Sequence, residues 1–220
     1  MLPALPDYVA IEGPIGVGKT TLARKIAKNY GTELLLEAPQ NNPFLERFYT
    51  ASQSNALATQ LCFLLQRVQQ MQVLRQSDLF TPVRVADFII DKDRLFAQLT
   101  LDADELDLYY QLYQNLTTDA PLPDLVVYLQ APSSVLLQRI ARRNIAAEQS
   151  ITAEYLDQLS ALYTDFFQHY TATPLLIVNA TNANFADSQN DFEALLYQMS
   201  QARQGVTYYD PEVTLAMNYL

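Results

Sequence analysis

Short apolar runs alternate along the chain with longer stretches in which apolar positions recur every three or four residues. The short runs fall near residues 8–12, 33–37, 83–88, 124–130 and 174–179, each bounded by turn or cap residues, and are predicted as strands. The last two, Asp124–Gln130 and Pro174–Asn179, are almost continuously apolar, as strands covered on both faces must be, and are expected at the centre of a sheet. Between the second and third strands, Asn55–Ser77 carries Leu57, Leu61, Leu64, Leu65, Val68, Met71 and Leu74 at helical spacing with no Gly or Pro. This predicts a helix of about 30 Å or more, long enough to form a wall or a dimer face. Further helices are predicted over Lys19–Tyr30, Asp102–Leu116, Thr152–Tyr170 and Asp187–Arg203. The strand–helix rhythm is that of an α/β domain with a five-stranded parallel sheet flanked by helices, spanning residues 1–205 and followed by a tail, 206–220, rich in tyrosine and aliphatics.

Composition narrows the classes. A chain of 220 residues buries about 70% of its unfolded surface as one domain and needs no staples. Cys62 is the only cysteine and His169 the only histidine, which excludes an internal disulfide and leaves no soft-metal cluster to propose. The net charge of −10 argues against a nucleic-acid surface. No apolar run approaches the roughly 18 residues that span a bilayer, and Met1–Pro6 lack the basic stretch and apolar core of a signal peptide, so a cytoplasmic protein without a membrane partner is expected. The cations are unevenly spread: Arg139, Arg142 and Arg143 form the densest group and a candidate anion site.

The first strand runs into Gly13-Pro14-Ile15-Gly16-Val17-Gly18-Lys19-Thr20, a complete G-x-x-x-x-G-K-[ST] phosphate loop that takes three of the chain's five glycines. Glycines let successive N–H groups turn inward onto phosphate oxygens. Lys19 then reaches the β- and γ-phosphates and Thr20 ligates Mg²⁺, with Thr21 beside it, while the following helix directs the positive end of its dipole at the same anion. The chain is therefore expected to bind a nucleoside triphosphate on a P-loop NTPase-type three-layer sandwich. For the acceptor side, acids at the carboxyl ends of strands are informative because parallel sheets bind ligands there. Glu37 and Asp87 end adjacent apolar runs, and a carboxylate beside a substrate hydroxyl can orient it and take its proton.

On these segments the chain resembles the deoxynucleoside kinases, specifically the compact bacterial branch acting on deoxyadenosine, deoxyguanosine or deoxycytidine. The resemblance runs from Ile11-Glu12-Gly13 to the last strand. It implies that Glu37, in Leu36-Glu37-Ala38-Pro39, contacts the substrate 5′-hydroxyl and that Tyr49 meets the sugar 3′-hydroxyl. It further implies that Gln60 reads the base with Arg67 two turns along the same helix, and that Asp93 lies near Arg67. In Asp87-Phe88-Ile89-Ile90-Asp91-Lys92-Asp93-Arg94 it makes Asp87 the general base. Arg139, Arg142 and Arg143 resemble the family's arginine-rich lid, about residues 139–150, which covers the phosphates, and Glu148 its glutamate on the 3′-hydroxyl. ATP as donor, Mg²⁺ and a homodimer are implied as well.

Two positions depart from the pattern: Phe88 and Ile145 stand where many members have arginine. The expected reaction is transfer of the γ-phosphoryl group of ATP to a deoxynucleoside 5′-hydroxyl, with Asp87 as base, Glu37 aligning the hydroxyl, and Lys19, Arg139 and Arg143 neutralising charge. A thymidylate-kinase-type enzyme is the first alternative, but residues 33–60 hold only Arg47 as a cation, too little for an acceptor that already bears a phosphate. The second is a catalytically silent nucleotide-binding subunit.

Overall fold

The computed structural model describes residues 2–50, 55–76 and 84–212. Its strands are β1 (Tyr8–Glu12), β2 (Glu33–Leu35), β3 (Arg84–Ala86), β4 (Leu125–Gln130), β5 (Leu175–Asn179) and β6 (Val206–Tyr209), hydrogen-bonded in the order β2-β3-β1-β4-β5-β6. Every pairing is parallel. The sheet thus has six strands where five were expected. The sixth comes from the start of the predicted tail: Val206–Tyr209 adds alongside Leu175–Val178 at the edge. Residues 213–220, the rest of that tail, lie outside the described residues.

Eight helices are described: α1 (Lys19–Tyr30), α2 (Leu45–Thr50), α3 (Ala56–Gln76), α4 (Lys92–Thr100), α5 (Ala103–Thr117), α6 (Ser133–Arg143), α7 (Ala153–Gln168) and α8 (Gln189–Gln201). The predicted helix starts at Asp102, Thr152 and the Asp187–Ser188 step coincide with side-chain caps. Asp102 accepts from Glu105 N, Thr152 from Tyr155 N and Ser188 from Asp191 N. The short helices α2 and α4 had no periodicity long enough to announce them. No helix among the described residues is long and apolar enough to cross a membrane.

Strand alternation sends successive side chains to opposite faces, and both faces are covered. Val9, Ile11, Val127, Leu129, Leu176 and Val178 pack on one side with Leu22 and Ile26 of α1, Leu136 and Ile140 of α6, and Leu195, Leu196 and Met199 of α8. Ala10, Val126, Tyr128, Leu175 and Ile177 pack on the other with Leu95 of α4 and Leu159, Tyr163 and Phe167 of α7. A further cluster under α3, α4 and α5 gathers Leu64, Met71, Phe88, Ala97, Tyr109 and Tyr113. With β1 between β3 and β4, the chain runs from β1 to β2 and β3 on one side and then crosses to β4 on the other, and parallel sheets receive ligands in the crevice at the carboxyl end of such a switch point.

Candidate active site

The phosphate loop follows β1 directly, and two of its glycines are required by the fold as well as by the ligand. A Cβ on Gly13 (φ 146°) would collide with Leu129 O of β4, and one on Gly16 (φ 85°) would meet Leu136 O and Ile140 Cγ1 of α6 at 2.9 Å. Lys19 Nζ donates to Gly13 O (2.7 Å) and Pro14 O (3.2 Å), which holds it across the loop. Burial, followed by the nearby Lys92 ammonium, lowers the Lys19 pKa to about 8. Beneath the loop Glu12 is fully buried. One of its oxygens accepts from Gly13 N and the Tyr163 hydroxyl and the other from Ile89 N, and burial raises its pKa against the pull of Lys92 and Lys19.

Beside the loop opens a cavity of about 650 Å³, bounded by Gly16–Leu22, by Arg139, Arg142 and Arg143, and by the loop Ala180–Asp187 after β5. Its volume suits a nucleotide. Pro14 and Ile15 belong to the loop but do not line this cavity, whereas Thr21 does. The three arginines are not equivalent. Arg139 donates to Val17 O (3.1 Å), Ala180 O (2.7 Å) and Thr181 O (3.2 Å), so it clamps the phosphate loop to the end of β5. Arg142 and Arg143 are exposed at the end of α6, and Arg143 pairs with Glu148, which brings two of the expected lid residues together. Ile145 is exposed at 43% just beyond them.

On the other side of the loop, carboxylates and cations converge. Thr20 Oγ1 donates to Asp87 Oδ2 at 2.5 Å, and the second Asp87 oxygen accepts from Glu37 N at 2.8 Å. Hydroxyl and carboxylate oxygens side by side are hard donors of the kind Mg²⁺ takes, so Thr20 and Asp87 fit a magnesium site. Glu37 is held by Arg67 at one oxygen and by Lys92 Nζ at the other, the latter at 2.7 Å. Burial alone would raise its pKa, but Lys92, Arg67 and Lys19 outweigh it and hold Glu37 at about 2.

Arg67 also makes a fork to Asp93, with Nε to Oδ2 at 2.7 Å and Nη2 to Oδ1 at 2.6 Å. Burial still raises the pKa of Asp93 despite that partner. Gln60 is 2% exposed. Its Nε2 donates to Thr100 Oγ1 at 3.0 Å, and its Oε1 has no partner among the described residues, an open acceptor for a ligand N–H. Tyr49 lies in α2, and its side chain falls outside the described residues.

The structure therefore joins Thr20, Asp87, Glu37, Arg67 and Asp93 into one connected network beside Lys19, places Gln60 on the same helix as Arg67, and sets Arg143 with Glu148 at the mouth of the cavity. Three residues in or beside this network have no role in the sequence reading: Lys92, which joins it through Glu37, Glu12 beneath the phosphate loop and Thr100 against Gln60. The available signal was for Lys92, a cation set between Asp91 and Asp93 in an otherwise apolar segment.

Comparison with known proteins gives the same answer. The deoxynucleoside kinase family model matches residues 9–202. The chain is 35% identical over 196 residues to a deoxyguanosine kinase of Bacillus subtilis, covering 86% of this chain and 93% of that one. It is 26% identical to a deoxyadenosine/deoxycytidine kinase of the same organism, covering 88% and 92%. The fold is similar to that of a deoxyadenosine kinase from M. mycoides with bound dCTP, at a TM-score of 0.75 and 23% identity over 88% of this chain and 99% of that one. With a phosphate loop, paired carboxylates and a family match across most of its length, the chain belongs to the deoxynucleoside kinases, transferases of nucleoside salvage that phosphorylate deoxynucleosides.

Proposed function

We propose that the protein transfers the γ-phosphoryl group of ATP, with Mg²⁺, to the 5′-hydroxyl of deoxyadenosine, deoxyguanosine or deoxycytidine. The observation that carries this reading is the chain Thr20–Asp87–Glu37, which links the phosphate loop by two hydrogen bonds to the acid that would face the acceptor. The donor occupies the cavity beside the loop. Lys19, Arg142 and Arg143 stabilise charge on the transferring group, and Arg139 holds the loop against β5. Thr20 and Asp87 would hold magnesium, which would neutralise charge on the phosphates. At the other end Glu37 and Tyr49 address the sugar, Gln60, Arg67 and Asp93 address the base, and Glu148 approaches the 3′-hydroxyl as the lid closes.

The acceptor is a nucleoside and not its monophosphate. Arg67 is paired to Asp93 and Glu37, and Lys92 to Glu37, so these two cations are already neutralised and offer no open anion site. A screen of the four deoxynucleosides and their monophosphates with ATP and Mg²⁺ tests this. Phosphorylation of a monophosphate in preference to every nucleoside would overturn it.

The division of labour has two versions. In the first, Asp87 takes the hydroxyl proton and Glu37 aligns the hydroxyl. A specific contact favours the reverse, since Asp87 is buried with one oxygen on the threonine hydroxyl offered to the metal, whereas the Glu37 side chain is 19% exposed. Partial rescue of Asp87→Asn by raised Mg²⁺ would assign Asp87 to the metal and Glu37 to the proton; a loss indifferent to Mg²⁺ would return the base to Asp87. A homodimer has a candidate face in the exposed Leu108, Leu112 and Leu116, one turn apart on α5, together with Leu65 on the adjacent α3. Sedimentation of wild type against Leu112→Glu measures it.

A further inference from the structure

One charged side chain at the acceptor end has no role in the scheme above. Lys92 opens α4, and its Nζ reaches Glu37 Oε2 at 2.7 Å. This is an unfavourable place for an ammonium. Its side chain is 7% exposed, and the first turn of a helix presents unpaired N–H groups and the positive end of the dipole, both of which repel a cation. The proton is retained nonetheless. Burial works to remove it, but the Glu37 and Glu12 carboxylates outweigh burial and raise the Lys92 pKa. A charge kept against both local preferences marks a functional position more often than a structural one.

The surroundings of Glu37 show what the charge does there. Arg67 alone grips one oxygen of that carboxylate, and Arg67 is itself fixed by its fork to Asp93. A carboxylate held at one oxygen can still swing about its last bond; a second cation on the other oxygen stops the swing. Phe88, fully buried with its ring 5.4 Å from the Arg67 guanidinium, brings no charge there. Lys92 supplies it from one turn further on.

We infer that Lys92 is a positioning residue for Glu37, locking the plane of its carboxylate toward the acceptor hydroxyl. The inference rests on the kinase reading above, in which Glu37 faces that hydroxyl. It is tested by steady-state kinetics of wild type, Lys92→Met, Lys92→Arg, Glu37→Gln and the Glu37→Gln/Lys92→Met double variant with the preferred deoxynucleoside.

Misplacing an acceptor-orienting group costs on the order of 100-fold, so Lys92→Met is expected to lose about that much in kcat while its KM for ATP stays within about threefold. Lys92→Arg is expected within about tenfold of wild type. In the Glu37→Gln background, removing Lys92 is expected to cost less than about threefold, because the group it positions is already gone. Should Lys92→Met not fold, Lys92→Gln, which keeps a donor without the charge, carries the same comparison. A kcat near wild type in the uncharged variant, an equal loss in the presence and absence of Glu37, or no recovery with arginine would each overturn the inference. A wild-type protein inactive on every deoxynucleoside would overturn the kinase reading and this inference with it.

Discussion

The two ends of the cleft are built of different material. At the donor end, one uninterrupted segment from Gly13 to Thr20 supplies glycines, main-chain amides and a single lysine whose ammonium rests on the loop's own carbonyls. At the acceptor end the work falls to charged side chains, Glu37, Arg67, Asp87, Lys92 and Asp93, joined across separations of 26 to 55 residues. In the proposed function, the contrast follows from the ligands. A triphosphate is recognised by its charge, which consecutive N–H groups and a helix N-terminus satisfy almost without side chains. A neutral sugar and base offer hydroxyls and ring edges, whose recognition needs several polar groups at set angles in a buried place, and buried charges must arrive with partners.

The sharpest way to break this comparison is at the donor end. Lys19→Met is expected to lower kcat by about 10³-fold while the melting temperature holds or rises, since among the described residues the half-buried ammonium bonds only loop carbonyls and, in the proposed function, its charge serves the phosphate. A marked fall in stability would show that the donor end depends on its side chain as the acceptor end does.

The corresponding change at the acceptor end, Asp93→Asn, is expected to destabilise the fold by about 3–5 kcal/mol in denaturant titrations, because it leaves the Arg67 guanidinium buried with half its partners. Near-normal stability would mean that Glu37 alone can satisfy that arginine.

A third distinction is drawn by pH. With the Lys19 pKa lowered to about 8, its charge is complete below that pH and lost as pH rises through it, so kcat/KM for ATP is expected to fall on the alkaline side of 8. At saturating ATP the bound phosphates favour the charged lysine, and kcat is expected to persist to higher pH than kcat/KM. Coincident profiles would place the ionisation elsewhere. The smallest effect is a control lying in neither region: Asp102→Ala removes the cap of α5 and is expected to cost about 1 kcal/mol of stability with kcat unchanged.

The same contrast governs how much was legible before the structure. Helix α1 begins and ends where Lys19 and Tyr30 predict, since a phosphate loop before it and Gly31 after it are local signals. Helix α3 covers 56–76 of the predicted 55–77 for a similar reason, a long apolar recurrence with no breaker. Strand β6 reads as tail in the sequence because four residues of mixed polarity at a sheet edge carry almost no periodic signal, and its partner β5 lies some thirty residues away. Arg139 was grouped with its neighbours as a phosphate ligand because all three share one helix end. Tertiary structure adds that Arg139, which lines the same cavity as the other two, also bonds Val17, Ala180 and Thr181.

By itself, then, the order of residues determined the βα rhythm, the phosphate loop and the acids at the strand ends, because each depends on spacing within about ten residues. Tertiary structure alone decided that Asp87 faces Thr20, that Arg67 and Lys92 share Glu37, and that Phe88 lies beneath a guanidinium. Those pairings are set where helices and strand ends converge on the crevice beside β1, and the energy of a buried charge depends on which partners the fold brings to it.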